Sequence, residues 1–284
     1  MSKVCIVTDS TSCLPAELIE EYGIRVAPVG FVIDGKHYRD QVDITTAEFW
    51  ELFPNLEEQP STTAASPGDF VNIFTEMSES TDSIVCILVS KVLSATQESA
   101  YLARRLVKQD HPNLRIEIID SKTAAGAMGF VVLEAARAAH QGKSLEEVLE
   151  VTEDMIPRVV YFAALETLKY LAKIGRAPRG ASVGEMLKVK PIIGFVDDTG
   201  LLDLVARVRG RDKALAKLVD LMEDYIEDGN PVHVMVHYSE DNKDVEMLRE
   251  MVSSRYNCVE MYDGEFSPVM VGAVGPIVGL SFYT

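Results

Sequence analysis

Two short runs, VCIV at 4–7 and IVCILVS at 84–90, constrain this chain more than any other feature. Apolar residues occupy successive positions in both, so a strand made from either cannot leave one face to water. A third run, RIEIID at 115–120, has the length of a strand. Helical patterns lie between and after these runs: PAELIEEY (15–22), DFVNIFTEM (69–77), TQESAYLARRLVKQ (96–109) and GFVVLEAARAAH (129–140). Strands buried on both faces and alternating with helices imply a mainly parallel sheet covered on both sides, a three-layer α/β unit. IRVAPVGFVI (24–33) reads as one more strand, broken at Asp34-Gly35. The stretch 34–60 is polar and reads as an excursion from the core.

The second half has a different rhythm. VVYFAAL (159–165) reads as a strand with a helix through Leu171, and PIIGFVDDTGLLDLVARV (191–208) as a hairpin turning at Asp197–Gly200. DKALAKLVDLMEDYIE (212–227) is an amphipathic helix, VHVMVHY (232–238) alternates like a strand, and 244–256 is helical again. The end is apolar and rich in glycine. A hairpin among helices suggests an α+β domain with a mixed sheet. The expected division is 1–155 and 156–284, with the boundary near Glu153–Pro157.

Composition narrows the function. The 284 residues carry a formal charge of −17, which argues against a protein that neutralises phosphates or adsorbs to anionic lipid surfaces. An anionic ligand remains possible, provided local donors hold it against the overall field. No apolar run approaches membrane-spanning length, and the start has no long apolar segment of the signal-peptide kind. The expectation is a cytoplasmic protein without membrane insertion. Cys5, Cys13, Cys86 and Cys258 show no regular spacing and read as free thiols.

The corners where strands pass into helices carry hydroxyls: TDSTS (8–12), LSATQ (93–97) and DSKT (120–123). Ligands of an open parallel sheet sit beyond the carboxyl ends of its strands, where helix N-termini present unpaired N–H groups and a partial positive charge. Plain capping explains much of this. Ser94-x-x-Gln97 and Ser66-x-x-Asp69 both fit capping boxes. But in STTAASPGDF (61–70) Ser66 suffices to cap the helix, which leaves Ser61, Thr62 and Thr63 without that task.

These stretches resemble the DegV family of bacterial fatty-acid-binding proteins. TDSTSCLPAELIEEYGI resembles its opening, STTAASPGDF its T-S-x-P-S-P-G-x-F stretch and LSATQESA its L-S-G-T-Y-Q-S-A stretch. YLAKIGRA, VKPII and RVRGRDKAL match in the second half, so the resemblance runs along the whole chain in order. It implies a non-enzymatic carrier that buries one long-chain fatty acid between two domains, with no cofactor. It implies that Thr62 and Ser94, with the backbone N–H near Ala95, hold the carboxylate, and that Thr63 and Ala273 lie at the same site. It implies a separate ATP-dependent fatty acid kinase as partner, with Arg176 as the first contact to test. Three departures stand out. The family usually has glycine at Ala95, and serine and glutamine at Thr63 and Ala64. It usually reads H-T-G-P-G where this chain has Ala273-Val274-Gly275-Pro276-Ile277, so a head-group histidine is missing.

Other patterns weigh less. Gly180-Ala181-Ser182-Val183-Gly184 matches the G-x-S-x-G string of hydrolases, and Asp203 and His237 follow in the right order. A serine hydrolase of acyl esters built on Ser182 is therefore the alternative, although the residues before that string are not strand-like and Ser182-x-x-Glu185 also fits a capping box. A carrier of another amphipathic acid is a third reading. His233 and His237 are four apart, but on a strand that is about 13 Å, too far to share a metal. Lys169, Lys173, Arg176, Arg179, Lys188 and Lys190 gather positive charge in an acidic chain. The eleven methionines and the glycine-rich end suit an adaptable tunnel or an ordinary core.

Overall fold

The computed structural model describes residues 4–181, 189–227, 229–240 and 243–284. Strand β1 (Val4–Asp9) leads through helix α1 (Ala16–Tyr22) to β2 (Arg25–Ala27). An excursion follows: β3 (Gly30–Ile33), β4 (Lys36–Arg39), α2 (Thr46–Leu52) and β5 (Ser61–Thr63). Then come α3 (Pro67–Ser78), β6 (Ser83–Leu88), α4 (Thr96–Asp110), β7 (Arg115–Asp120), α5 (Ala125–His140) and α6 (Leu145–Met155). The first sheet runs β2-β1-β6-β7 and is parallel throughout.

The doubly apolar runs do what their pattern requires. In β6, Ile84, Cys86 and Leu88 face a cluster that includes Phe70 and Phe74 of α3 and Ala100 and Ala103 of α4. Val85 and Ile87, on the opposite face, join Phe130, Val131 and Val148 of α5 and α6. Val4 and Ile6 of β1 take the same side as Val85, while Cys5 and Val7 take the other. The sheet is therefore a middle layer between helices. Cys5, Cys13 and Cys86 are buried, Cys258 is half-buried, and none of the four is in a disulfide.

Three sequence expectations need correction. The run 24–33 is two strands in two sheets, because Pro28 has no N–H to continue a ladder and the chain leaves the first sheet there. Its second part, β3, pairs with β4 through Asp34 and Gly35, whose φ values of 49° and 78° suit the tight hairpin turn. The excursion is not simply polar: Phe31 and Phe49 are fully buried, and β3 is the centre of a three-stranded sheet, β4-β3-β5. Helix α6, for which the pattern above gives no element, begins at a full capping box formed by Ser144 and Glu147.

The second sheet uses β8 (Val160–Leu165), β9 (Val189–Gly194), β10 (Asp203–Arg209), β11 (Pro231–Tyr238), β12 (Asn257–Glu265) and β13 (Ile277–Tyr283), in the order β10-β9-β8-β13-β11-β12. Only the β11–β12 pair is parallel. Its helices are α7 (Lys169–Lys173), α8 (Arg211–Met222), α9 (Lys243–Arg255) and α10 (Pro268–Val274). Val160, Phe162 and Ala164 of β8 pack with α8 and α9, while Tyr161, Ala163 and Leu165 turn toward the first half of the chain. Helix α5 crosses between the two sheets. At Gly126 a Cβ would lie 2.5 Å from the His237 ring and from Met235 Sδ, and at Gly129 one would lie 2.6 Å from the Ser12 carbonyl oxygen. Only glycine lets the helix approach both sides this closely.

Candidate functional site

After β1 the chain goes to β2 on one side, then returns to β6 on the other. The crevice beyond the ends of β1 and β6 is thus the topological switch point, the usual ligand position in such sheets. Asp9 ties the two strand ends together. Its buried carboxylate accepts hydrogen bonds from the Thr11 N–H at 3.0 Å, the Thr11 hydroxyl at 2.5 Å and the Val89 N–H at 2.9 Å. Burial raises its pKa, and these three bonds pull it part of the way back.

The start of α4 departs from the expected capping box. Ala95, not Ser94, is the N-cap, and its side chain cannot cap. Gln97 does not fold back on Ser94. Its Nε2 donates to the Val89 carbonyl at 3.3 Å, a buried acceptor at the end of β6. Ser94 Oγ instead lies 2.9 Å from Thr96 Oγ1 and accepts from the Thr96 N–H at 3.3 Å. The fully buried Thr96 Oγ1 also accepts from the Ala65 N–H at 3.4 Å, which joins the two hydroxyl-rich stretches. Sequence reasoning passed over Thr96; its signal was a second hydroxyl two residues after the supposed cap. The Ala95 N–H meets no backbone acceptor among the described residues.

Ser66 does cap α3, accepting from the Asp69 N–H at 3.1 Å and donating to Asp69 Oδ2 at 2.6 Å. Its hydroxyl is exposed and faces its own helix. Ser66→Ala should therefore lower stability by about 1 kcal/mol, read as a lower melting temperature, with no change in ligand affinity.

A cavity of about 290 Å3 opens at this crevice. All six residues picked out from the sequence line it: Thr62, Thr63, Ser94, Ala95, Arg176 and Ala273. Thr62 pairs with Phe31 across the small sheet and shares its face, while Thr63 pairs with Gly30. The Thr63 hydroxyl is engaged by His37 Nε2 at 3.1 Å, so of these two threonines Thr62 is the better placed to serve a ligand. Arg176, expected as a partner contact, stands half-buried in the cavity wall, where its Nε donates to the Leu93 carbonyl at 2.6 Å. It is the only charged residue among the described lining residues. Most of the remaining wall is apolar, including Val29, Val89, Leu93, Ile174, Ile193 and Val269. Tyr161 also lines it, and burial pushes its phenol pKa up, so the hydroxyl stays a neutral donor. Tyr161 carries no separate signal in the sequence, since it reads as one more residue of an apolar strand.

The hydrolase alternative loses its partners. Ser182 lies outside the described residues. Asp203 is held by Arg179 through two bonds of 2.8 and 2.6 Å. His237 is fully buried, with Nδ1 at 3.1 Å from the Gly264 carbonyl and Nε2 at 2.9 Å from Ser281 Oγ. Burial lowers its pKa to about 4. His233 stacks on Tyr283 at 4.3 Å and meets Glu260 at 3.0 Å. Among the described residues there is no cluster of three or more potential metal ligands, and no helix is long and apolar enough to cross a membrane. The basic stretch is partly neutralised: Lys190 pairs with Glu166, and Arg179 with Asp197 as well as Asp203. Lys188 lies outside the described residues.

A family model described as "Uncharacterised protein, DegV family" matches residues 3–284. A DegV domain-containing protein of Caldanaerobacter subterraneus subsp. tengcongensis is 39% identical over 224 residues, 78% of this chain and 78% of that one. A DegV family protein from Thermus thermophilus, whose structure is described as showing fatty acid binding, superposes with a TM-score of 0.89 at 30% identity over 100% of both chains. A stearic acid-binding protein from Eubacterium ventriosum gives 0.89 at 26% identity, covering 100% of this chain and 98% of that one. DegV of Bacillus subtilis, described as a fatty acid binding protein, gives 0.87 at 26% identity, covering 100% and 99%.

Proposed function

The chain belongs to the DegV family, and from that premise we propose that it is a carrier that binds one fatty acid in the cavity beyond β1 and β6. Thr62, Ser94 and the Ala95 N–H receive the carboxylate, and the apolar wall receives the tail. The observation that carries this reading is the single cavity that gathers hydroxyls, an unused helix-start N–H and one cation among otherwise apolar walls. Related proteins described as fatty-acid binding support it.

Magnitudes favour the assignment. Each buried methylene is worth about 0.8 kcal/mol, so roughly ten of them yield about 8 kcal/mol before association costs. The carboxylate needs only to break even. Buried without hydrogen bonds it would cost several kcal/mol, more than the tail can spare. Arg176 supplies local positive charge in a chain whose net charge of −17 repels anions.

In the same reading the bound acid is presented to a separate ATP-dependent kinase. The sequence contains no phosphate-binding G-x-x-x-x-G-K-[ST] loop, so the carrier itself is not assigned the phosphoryl transfer. Arg176, at the cavity wall, is the residue we assign to that contact as well as to the head group.

The test is to denature the purified protein and identify what it releases by mass spectrometry. One fatty acid per chain is expected. Preparations that are repeatedly empty and bind neither added palmitate nor added oleate would overturn the assignment.

A further inference from the structure

Two tyrosines are buried among the described residues, Tyr161 at 4% exposure and Tyr283 at 5%. Tyr283 donates its hydroxyl proton to Glu134 at 2.9 Å. The Tyr161 hydroxyl has no hydrogen-bond partner among the described residues, although the side chain borders the cavity. Folded proteins rarely carry a buried hydroxyl without a partner, because its desolvation is then uncompensated. The polar groups around it are already committed. Thr11, in the same cavity wall, gives its N–H and its hydroxyl to Asp9, and its carbonyl accepts from Cys13 Sγ at 3.6 Å. The His237 ring lies 5.9 Å away between centroids, with Nδ1 at the Gly264 carbonyl and Nε2 at Ser281 Oγ.

The strand fixes the direction of this ring. Tyr161 pairs with Ser281 across β8 and β13, so it shares its face with Ala163 and Leu165, toward the first half of the chain. Phe195, with its centroid 5.9 Å away, packs beside it. Burial and the nearby Cys13 thiol push the phenol pKa up, so the hydroxyl keeps its proton. The proposed head-group donors belong to another part of the wall. Ser94 and Ala95 open α4, and Arg176 reaches the Leu93 carbonyl just before them. None of these residues, nor Thr62, is among the ring or charge neighbours of Tyr161. Its hydroxyl therefore faces the tail of a bound acid and not the carboxylate.

Resting on the fatty-acid reading above, we propose that the Tyr161 hydroxyl selects acids whose tail carries an oxygen, as a hydroxyl or a ketone well down the chain. An in-chain hydroxyl accepts from the Tyr161 O–H or donates to its oxygen, and a ketone accepts from it. A methylene at that point leaves the phenol unpaired. An oxygenated tail in a wholly apolar cavity would leave its own oxygen unpaired. Pairing the two removes both costs, and a site that hydrogen-bonds a ligand hydroxyl disfavours the analogue that lacks it.

The experiment measures dissociation constants by calorimetry for delipidated wild type and Tyr161→Phe, at concentrations where the acids stay monomeric. The probes are stearate and hydroxystearates with the hydroxyl at carbon 2 or at each even carbon from 8 to 14. In wild type at least one isomer of the 8-to-14 set should bind as tightly as stearate or tighter, despite its more polar tail. Tyr161→Phe should weaken that isomer by roughly fivefold to 150-fold and leave stearate unchanged or tighter. The 2-hydroxy acid, with its oxygen beside the carboxylate, should respond to the substitution as stearate does. If every isomer of the 8-to-14 set binds wild type more weakly than stearate, the proposal fails whether or not the variant folds. If Tyr161→Phe, shown to be folded by circular dichroism melts, shifts stearate and all the hydroxy acids equally, the ring is a packing element only and the carrier reading stands. If neither stearate nor any hydroxy acid binds wild type, the carrier reading falls as well.

Discussion

Asp40→Asn should stabilise the protein by about 3 kcal/mol near pH 7.5 and by almost nothing near pH 4. Asp40 is 1% exposed, and its Oδ1 accepts from the Val269 N–H at 3.1 Å, in the first turn of α10. Its Oδ2 closes no hydrogen bond of full geometry, although the Ser267 and Ser10 hydroxyls are near enough to favour its charge. Burial is the main cause that raises its pKa, to about 6. Ser267, Ser10 and the Val269 N–H offset part of that rise, and the charge of Asp9 adds to it. The unfolded value is about 3.9. A pKa raised on folding gives stability that is fully present below the unfolded value and lost as pH rises through the folded one. At neutral pH the ionised carboxylate is therefore a net cost of about two pKa units, or about 3 kcal/mol. Asparagine keeps the acceptor for Val269 and adds an N–H2 group that can donate to Ser267 Oγ. His237 works in the opposite direction over the same range. Its pKa is lowered to about 4 by burial, so its contribution is present above about 6.5 and lost as pH falls through 4. In wild type the two partly cancel; in Asp40→Asn the loss on acidification should stand out. Urea unfolding midpoints from pH 4 to 8 provide the check. A variant no more stable than wild type at pH 7.5 would mean that the start of α10 holds the Asp40 charge at no net cost.

The parallel half was legible because its strands are buried on both faces. Residues at successive positions of β1 and β6 had to be apolar whatever their neighbours, and they divide between two clusters as the run demanded. Polar strands were not legible. β12, NCVEMYDGE, lies at the sheet edge with one side half-exposed, so its pattern carries little alternation. β4 and β5 are short and exposed, and only their pairing with β3 makes them strands. The site was legible in a narrower sense. Residues 62–63, 94–95, 176 and 273 come from four distant segments, and no local spacing connects them. Likeness to a family suggested grouping them, and all of them line one cavity. Ser94 shows the limit of local reasoning from the other direction. The S-x-x-Q pattern is present, but the Val89 carbonyl at the strand end competes for Gln97 and wins, which a one-dimensional pattern cannot foresee. Tyr161 was invisible for a related reason: which face of β8 meets the first half is decided by packing between elements far apart in the chain.

Thr62→Ala and Ser94→Ala should each weaken binding of a long-chain fatty acid by about 1–3 kcal/mol, a loss of roughly fivefold to 150-fold. The reason is that each change leaves a desolvated carboxylate short of one hydrogen bond while the tail contacts stay intact. A fatty alcohol of the same length should lose less, because its neutral hydroxyl costs less to leave unpaired. The two changes should not add. After one is made, a water or the remaining donors can repair much of the deficit; after both, the carboxylate relies on the Ala95 N–H and Arg176, and the combined loss should exceed the sum. Ser94 needs a further control, since its hydroxyl also accepts from the Thr96 N–H and contacts Thr96 Oγ1. Ser94→Ala should therefore lower the melting temperature as well as the affinity. Thr62, exposed in the middle of a three-residue strand, should change affinity with little effect on melting. Equal losses for acid and alcohol would place the head group at another part of the cavity. A Ser94 effect confined to melting would return that residue to a purely structural role at the start of α4, and would leave Thr62 and the helix N–H as the assigned donors.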